Sequence, residues 1–315
     1  MQFDLPFEQP LRELARRITE LQQQPAPHRQ KQLEHLMTEL AAATQRLYSN
    51  LSPWQTVQVA RHKLRPYTRD YIQHICEEFY ELRGDRLQSN DQAILAGLAN
   101  LDETTVMLIG HQKGRSPQEK QACNLGMPHP AGYRKAYRLM RLAEKFRFPL
   151  VCLIDTPGAF PGLEDEANGQ AGAIAANLAL MSALCIPILA VVIGEGGSGG
   201  ALAISLADRI LMLEHSIYTV AAPEAAASIL WRDNAFAPDA AEAMKIRARD
   251  LLALHLIDDI VPEPLGGAHQ DHAAAARHLK AALLKHLAEL RAVPIDTLVK
   301  QRYAKYRLIR PITTP

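Results

Sequence analysis

Apolar residues recur every three or four positions near the start of the chain: Leu11, Leu14, Ile18 and Leu21, then Leu33, Leu36, Leu40 and Leu47. That period puts one apolar stripe on each of two helices. Pro25 and Pro27 separate the sets and end the first helix, because proline lacks the amide that a helix interior needs. A helical hairpin is expected, lying on the body of the protein or on a partner. From Trp54 to Pro264 the pattern changes. The short apolar runs Val106–Ile109, Leu150–Ile154, Ile188–Ile193 and Ile210–Leu213 show little alternation, which predicts strands covered on both faces. Helical spacing over Tyr133–Phe146 and Gly169–Leu184 lies between them. Strand and helix in alternation predict an α/β fold. Two units are alike: Pro149-Leu-Val-Cys-Leu-Ile-Asp-Thr-Pro-Gly158 and Pro187-Ile-Leu-Ala-Val-Val-Ile-Gly-Glu-Gly196 each run from a proline through a strand into a glycine turn, and their prolines stand 38 residues apart. A repeating strand–turn–helix superhelix would read this way. After Gly266-Gly267, Leu279, Leu283, Leu287 and Leu290 restore helical spacing. The expected division is a helical segment over 1–53, an α/β domain over 54–265 and a helical tail over 266–315.

Composition narrows the class. The 315 residues are 48% hydrophobic and 22% charged, ample for a folded core. Lys and Arg number 35 against 34 Asp and Glu, with no long basic run, so nucleic acid is not an expected partner. The four cysteines, Cys76, Cys123, Cys152 and Cys185, form no CxxC pair, which argues against a zinc ribbon or a disulfide scaffold. Cys152 and Cys185 lie in apolar runs and are expected to be buried. The start carries no basic region followed by an apolar stretch, so no signal peptide is expected. The longest apolar stretch, Met181–Ile193, is broken by Pro187 and is too short to span a bilayer. A soluble, cytoplasmic protein without membrane contact is expected.

The strongest local signal is Gly194-Glu-Gly-Gly-Ser-Gly-Gly-Ala201, five glycines in seven residues after an apolar strand, followed by a predicted short helix over Ala201–Ala207. Glycine at this density means that something approaches the main chain closely, or that positive φ is needed. Three functional readings and a purely structural turn compete. Gly194, Gly196 and Gly199 satisfy GxGxxG, with Glu214 downstream as in a dinucleotide site, but the helix is short for one. Gly196-Gly-Ser198-Gly-Gly200 satisfies GxSxG, a nucleophile elbow, with Asp250, Asp258 or Asp259 and then His269 as triad partners. In the third reading, main-chain N–H groups of the turn hold a developing oxyanion, and no side-chain nucleophile is needed.

Two more loops follow strands. In Asp155-Thr-Pro-Gly-Ala-Phe-Pro-Gly162 the prolines stiffen a turn that the glycines sharpen, and the Asp155 carboxylate can order it. It is a DxxG element, yet no GxxxxGK[ST] accompanies it, which disfavours phosphoryl transfer. Gly110-His-Gln-Lys-Gly-Arg115 presents Lys113 and Arg115, which suit phosphate or carboxylate if the loop is more than a solvated basic one. His269 and His272 share a helix face but lack a third metal ligand.

Taken together, these three loops, Ile260-Val-Pro-Glu-Pro-Leu-Gly-Gly-Ala-His269, Phe3–Pro10, Arg65-Pro-Tyr-Thr68, Gly84-Asp-Arg86 and Ser228-Ile-Leu-Trp231 stand in one order over nearly the whole chain. The sequence resembles the alpha subunits of the bacterial heteromeric acetyl-CoA carboxylase carboxyltransferase. The resemblance implies a crotonase-like superhelix of β-β-α repeats, flanked by the N-terminal hairpin and the C-terminal helices. It implies transfer of a carboxyl group from carboxybiotin, borne by a separate biotin carboxyl carrier protein, to the CoA thioester acetyl-CoA, giving malonyl-CoA for fatty-acid synthesis. A beta subunit carrying the family's zinc ribbon would complete the site, in an alpha2beta2 assembly served by biotin carboxylase, with no metal on this chain. By the same resemblance Gly199 and Gly200 form the main-chain oxyanion hole for carboxybiotin. Gly196, Gly197, Gly158, Ala159 and Phe160 bind substrate, and Lys113 and Arg115 meet CoA phosphates or the partner. A side chain at Gly200 is expected to block the oxyanion without unfolding the chain. The sequence departs from the family at Phe160, where a tyrosine is usual, in Asn168-Gly-Gln-Ala171-Gly172, where Arg-Gly-Gln-Ser-Glu is usual, and around Pro223, where Ala222, Ala225 and Ala226 stand in place of a Ser before the proline and a Gly or Cys after Glu224. The alternatives are a carboxyltransferase or decarboxylase for another acyl-CoA, and a serine hydrolase using Ser198.

Overall fold

The computed structural model describes residues 2–23 and 29–309. Its strands are β1 (Phe79–Glu81), β2 (Ile94–Leu101), β3 (Thr104–His111), β4 (Leu150–Thr156), β5 (Ile188–Gly197), β6 (Arg209–Leu213), β7 (Ile217–Thr219) and β8 (Asp259–Val261). They form one sheet in the order β1-β2-β3-β4-β5-β6-β8, with β7 on β5. The β1–β2 and β2–β3 pairs are antiparallel, and from β3 onward every pair is parallel.

The four expected strands are all present, and their lack of alternation has a physical cause. Leu150, Cys152 and Ile154 of β4 face one core with Ile188, Ala190 and Val192 of β5, under Ala136, Leu139 and Met140 of helix Pro130–Phe146. Val151 and Leu153 face the other core, with Leu189, Val191 and Ile193 against Leu279, Leu283 and Leu287 of helix His272–Arg291. Every residue of β4 and β5 is buried, so Leu150–Ile154 and Ile188–Ile193 are apolar on both faces, and the polar Asp155, Thr156 and Glu195 fall only at the carboxyl ends.

The first half of β5 pairs with β6 and its last three residues pair with β7, while the register on β4 slips between Ile154 and Thr156. The sheet therefore turns where the strands end. The N-terminal helices Gln9–Gln23 and Arg29–Tyr48 match the hairpin expected; its proline break lies outside the described residues. Leu11 and Tyr48 pack with Phe3, Leu51 and Val59 against the body. Beyond helix His272–Arg291 a further helix, Ile295–Arg307, sends the buried Arg302 to Asp208 and to the carbonyls of Met181, Leu184 and Ile186, holding the entry to β5.

Some expectations change. The short helix after the glycines is Ser198–Leu202, not Ala201–Ala207, because the chain turns at once to enter β6, where Asp208 N–H donates to Ile188 O at 3.0 Å. Cys185 is exposed, since it lies in the loop between helix Gln170–Ala183 and β5 rather than in a strand. Strand β2 escaped notice because Ala96, Gly97 and Ala99 dilute its apolar pattern.

Candidate active site

The carboxyl ends of β3, β4 and β5 lie side by side, and each leads into one of the three loops singled out in the sequence. Gly196 and Gly197 are the last residues of β5, paired with Tyr218 and Thr219. Ser198 then takes a left-handed φ of 49° and opens helix Ser198–Leu202. The loop after β4 presses against this turn. A Cβ on Gly200 would stand 2.4 Å from Gly158 C and 2.5 Å from Ala159 N, so only glycine fits there. Gly199 differs: its nearest neighbour would be Ile174 Cδ1 at 3.7 Å, and it is half-buried. The glycine density thus mostly serves the protein's own close packing. A side chain at Gly200 would therefore meet the main chain of Gly158 and Ala159 first, besides any oxyanion it was expected to block.

The first-turn amides of a helix have no acceptor within the helix. Neither the Gly199 nor the Gly200 N–H donates to another described residue. Two adjacent donors thus stand at the positive end of a short helix, with the Gly158–Ala159 main chain packed beside Gly200, an arrangement that suits a developing oxyanion. Thr156 holds that loop: its Oγ1 accepts from Gly158 N at 3.0 Å and donates to Gly158 O at 2.8 Å. Phe160 N–H donates to Pro128 O at 3.1 Å, and the Phe160 ring lies 4.7 Å from that of His129.

Beneath the turn runs a charged network. Lys113 Nζ lies 2.6 Å from Asp155 Oδ1 and 3.9 Å from Glu195 Oε2. Asp155 Oδ1 also accepts the Glu195 N–H at 2.9 Å, close under Gly194, where a Cβ would stand 2.4 Å from it. Arg61 bonds Glu195 Oε1 at 2.6 Å and Glu224 Oε1 at 2.6 Å. Burial opposes charge on Lys113, but Asp155 and Glu195 outweigh it and raise its pKa. Burial, helped by Lys113, lowers His111 to about 3, so the imidazole is neutral at neutral pH. Behind β5, the buried Arg65 donates to Ile193 O at 2.8 Å and pairs with both oxygens of Glu263. Burial favours the neutral acid, yet Arg65 and His215 hold the Glu263 carboxyl down at about 2.

The loops from Gly110, Asp155 and Gly194 come together as the sequence suggests. Lys113 and Arg115 are committed within the chain, Lys113 to Asp155 and Arg115 to Asp70 and to the carbonyls of Lys63 and Arg65. The triad alternative does not assemble. Asp250, Asp258 and Asp259 pair with Arg247, Lys305 and His286, while His269 stacks on His62 at 3.9 Å. Glu214, required by the dinucleotide alternative, accepts from the main chain of Glu263. His272 bonds Leu64 O, and among the described residues no three His, Cys, Asp or Glu stand together to hold a metal. Sequence reasoning missed Arg61, Glu195, His129 and Asp165. Glu195 was legible inside the glycine motif; the other three meet their partners only through the fold.

Comparison with known proteins settles the family. Residues 4–310 match the family described as acetyl co-enzyme A carboxylase carboxyltransferase-like. The acetyl-coenzyme A carboxylase carboxyl transferase subunit alpha of Geobacter metallireducens is 52% identical over 308 residues, 97% of each chain. The chain belongs to the acetyl-CoA carboxylase carboxyltransferase alpha subunit family. Solved structures give the same fold. A transcarboxylase 12S core, with methylmalonyl-coenzyme A and methylmalonic acid bound, superposes with a TM-score of 0.58 at 20% identity, covering 71% of this chain but 42% of that one. A Pseudomonas malonate decarboxylase hetero-tetramer in complex with coenzyme A gives 0.58 at 18% identity, covering 76% of this chain and 95% of that one. This alpha-type carboxyltransferase chain therefore has the crotonase-like fold, and it is a transferase subunit.

Proposed function

We propose that Gly199 and Gly200 hold the ureido oxygen of carboxybiotin while its carboxyl group passes to acetyl-CoA to form malonyl-CoA. The observation that carries this reading is the pair of unclaimed amides at the start of helix Ser198–Leu202, opposite the Gly158 loop. As the carboxyl group leaves, negative charge gathers on that oxygen, and preorganised N–H groups lower the barrier by about 3 kcal/mol each. Gly196 and Gly197 aim the turn through their pairing with β7, and Gly158, Ala159 and Phe160 form the facing wall. Lys113 fixes Asp155, and through it the Glu195 amide, beneath the hole. Arg115 braces the neighbouring rim, and its half-exposed guanidinium can also meet a CoA phosphate.

The rest of the site is assigned to a beta subunit, in an alpha2beta2 assembly fed by a biotin carboxyl carrier protein and biotin carboxylase, in the cytoplasm. Exposed apolar surface supports a partner. Val220, Ile229 and Leu230 are 82%, 77% and 66% exposed beside Trp231 and Phe236, on and around helix Pro223–Trp231. Helix Gln170–Ala183, rich in alanine, buries only Asn177 and Met181. No helix of the described residues is long and apolar enough to cross a membrane.

The test is malonyl-CoA formation from carboxybiotinylated carrier and acetyl-CoA, with and without the beta subunit. Turnover with both chains together, and with neither alone, is expected. No turnover with a beta subunit shown to bind would refute the substrate assignment.

A further inference from the structure

We infer that His129 and Asp165 are positioning residues for the carboxybiotin side of the site, latching the Phe160 loop to the body of the protein. The inference rests on the reading of residues 158–160 as the wall of that site. His129 ends the segment that leads into helix Pro130–Phe146, whose Tyr133, Ala136, Leu139 and Met140 are buried in the core, so its main chain is firmly held. Its N–H donates to Asp91 Oδ2 at 2.7 Å. Its Nδ1 lies 2.5 Å from Asp165 Oδ1, in the short helix Leu163–Ala167 that follows the loop. Its ring lies 4.7 Å from the Phe160 ring.

Three more bonds stitch the same seam. Pro128 O accepts from Phe160 N at 3.1 Å, and Gln170 Nε2 donates to both Pro128 O at 2.9 Å and Phe160 O at 3.1 Å. Because the Gly158–Ala159 main chain is also the surface against which Gly200 rests, the setting of this loop bears directly on the position of the oxyanion-hole turn. The His129–Asp165 pair is the charge-capable contact in the seam. With side chains 36% and 9% exposed, it sits where the loop emerges from the body. A polar pair of this kind restrains a loop directionally, which apolar contacts with Phe160 alone would not.

The test is steady-state kinetics of the complete carboxyltransferase with His129→Ala, Asp165→Asn and His129→Asn. The side-chain amide of His129→Asn can still donate to Asp165 from near the position of Nδ1. A rise of about tenfold in KM for the carboxybiotinylated carrier is expected for His129→Ala and Asp165→Asn, the scale of one charge-assisted hydrogen bond. KM for acetyl-CoA should not move, and His129→Asn should recover the native carrier KM. Ala159→Leu, which adds bulk to the loop itself, separates the two levels of the argument. If it raises the carrier KM while His129→Ala and Asp165→Asn do not, the latch is refuted and the wall stands. If none of the three moves the carrier KM, the wall reading falls and takes the latch with it. An equal change in both KM values would also overturn the inference, because general loosening of the fold has no preference for one substrate.

Discussion

Replacing Gly200 with alanine is the sharpest perturbation the fold offers at the site. The new methyl carbon would stand 2.4 Å from Gly158 C, 2.5 Å from Ala159 N and 2.9 Å from Gly158 Cα, all main-chain atoms that no side-chain rotation can relieve. Non-bonded carbons settle at about 3.5 Å or more, so the turn and the loop must part by about 1 Å. Overpacking of this kind costs about 1–3 kcal/mol of stability, which is survivable in a domain of this size. The effect on catalysis is larger. A shift of about 1 Å in positioned groups costs about 10²-fold, and loss of one oxyanion donor costs about 10²–10³-fold in kcat. Gly200→Ala should therefore fold, melt a few degrees lower and lose at least about 10²-fold in kcat for malonyl-CoA formation. Gly199→Ala is the matched control. Its methyl group would make only an ordinary 3.7 Å contact with Ile174, so its Tm should hold and its kcat should fall far less. Native kcat in Gly200→Ala, or equal losses in both variants, would refute the reasoning.

Other outcomes follow from the same geometry. Ser198→Ala should leave kcat within a few-fold, since Ser198 is exposed and the candidate triad residues are paired elsewhere; loss of activity together with labelling of Ser198 by a fluorophosphonate would restore the hydrolase reading. Lys113→Met strands Asp155, which is 1% exposed, and should cost about 3–5 kcal/mol in urea denaturation; adding Asp155→Asn should recover much of it, and strict additivity would mean that the pair is not coupled. Glu263, held at about 2 against burial mainly by Arg65, contributes stability that is full above the ordinary glutamate pKa of about 4.3 and fades as pH falls toward 2. The stability gap between the native chain and Glu263→Gln should therefore be wide at neutral pH and narrow steadily in acid; a gap independent of pH would contradict the assigned pair.

The fold was largely legible because β4 and β5 are buried on both faces and their runs Leu150–Ile154 and Ile188–Ile193 are unbroken, with the polar residues confined to the strands' carboxyl ends. Helices Pro130–Phe146 and Gln170–Ala183 were legible by spacing. What hid was short or diluted: β7 and β8 are three residues each and are strands only through their pairing with β5 and β6, and β2 carries small residues. At the site, the glycines pointed to close approach, and the residues that approach, Gly158 and Ala159, belong to another motif already noticed. Sequence could not say that the approaching chain is the protein itself. Lys113 and Arg115 looked free because their partners, Asp155 and Asp70, lie about forty residues away in either direction, and only the fold brings them together.

The central claim is that main-chain N–H groups, not side chains, stabilise the transition state. It is tested most directly by replacing Gly200 with glycolic acid, which exchanges the amide for an ester. This removes one N–H and adds no atom that could meet Gly158 or Ala159. With the beta subunit and carboxybiotinylated carrier supplied, kcat for malonyl-CoA formation should fall by about 10²–10³-fold while the carrier KM stays within a few-fold. An unchanged kcat in a folded ester variant would show that the Gly200 amide does not touch the reacting oxygen, and the mechanism would fall.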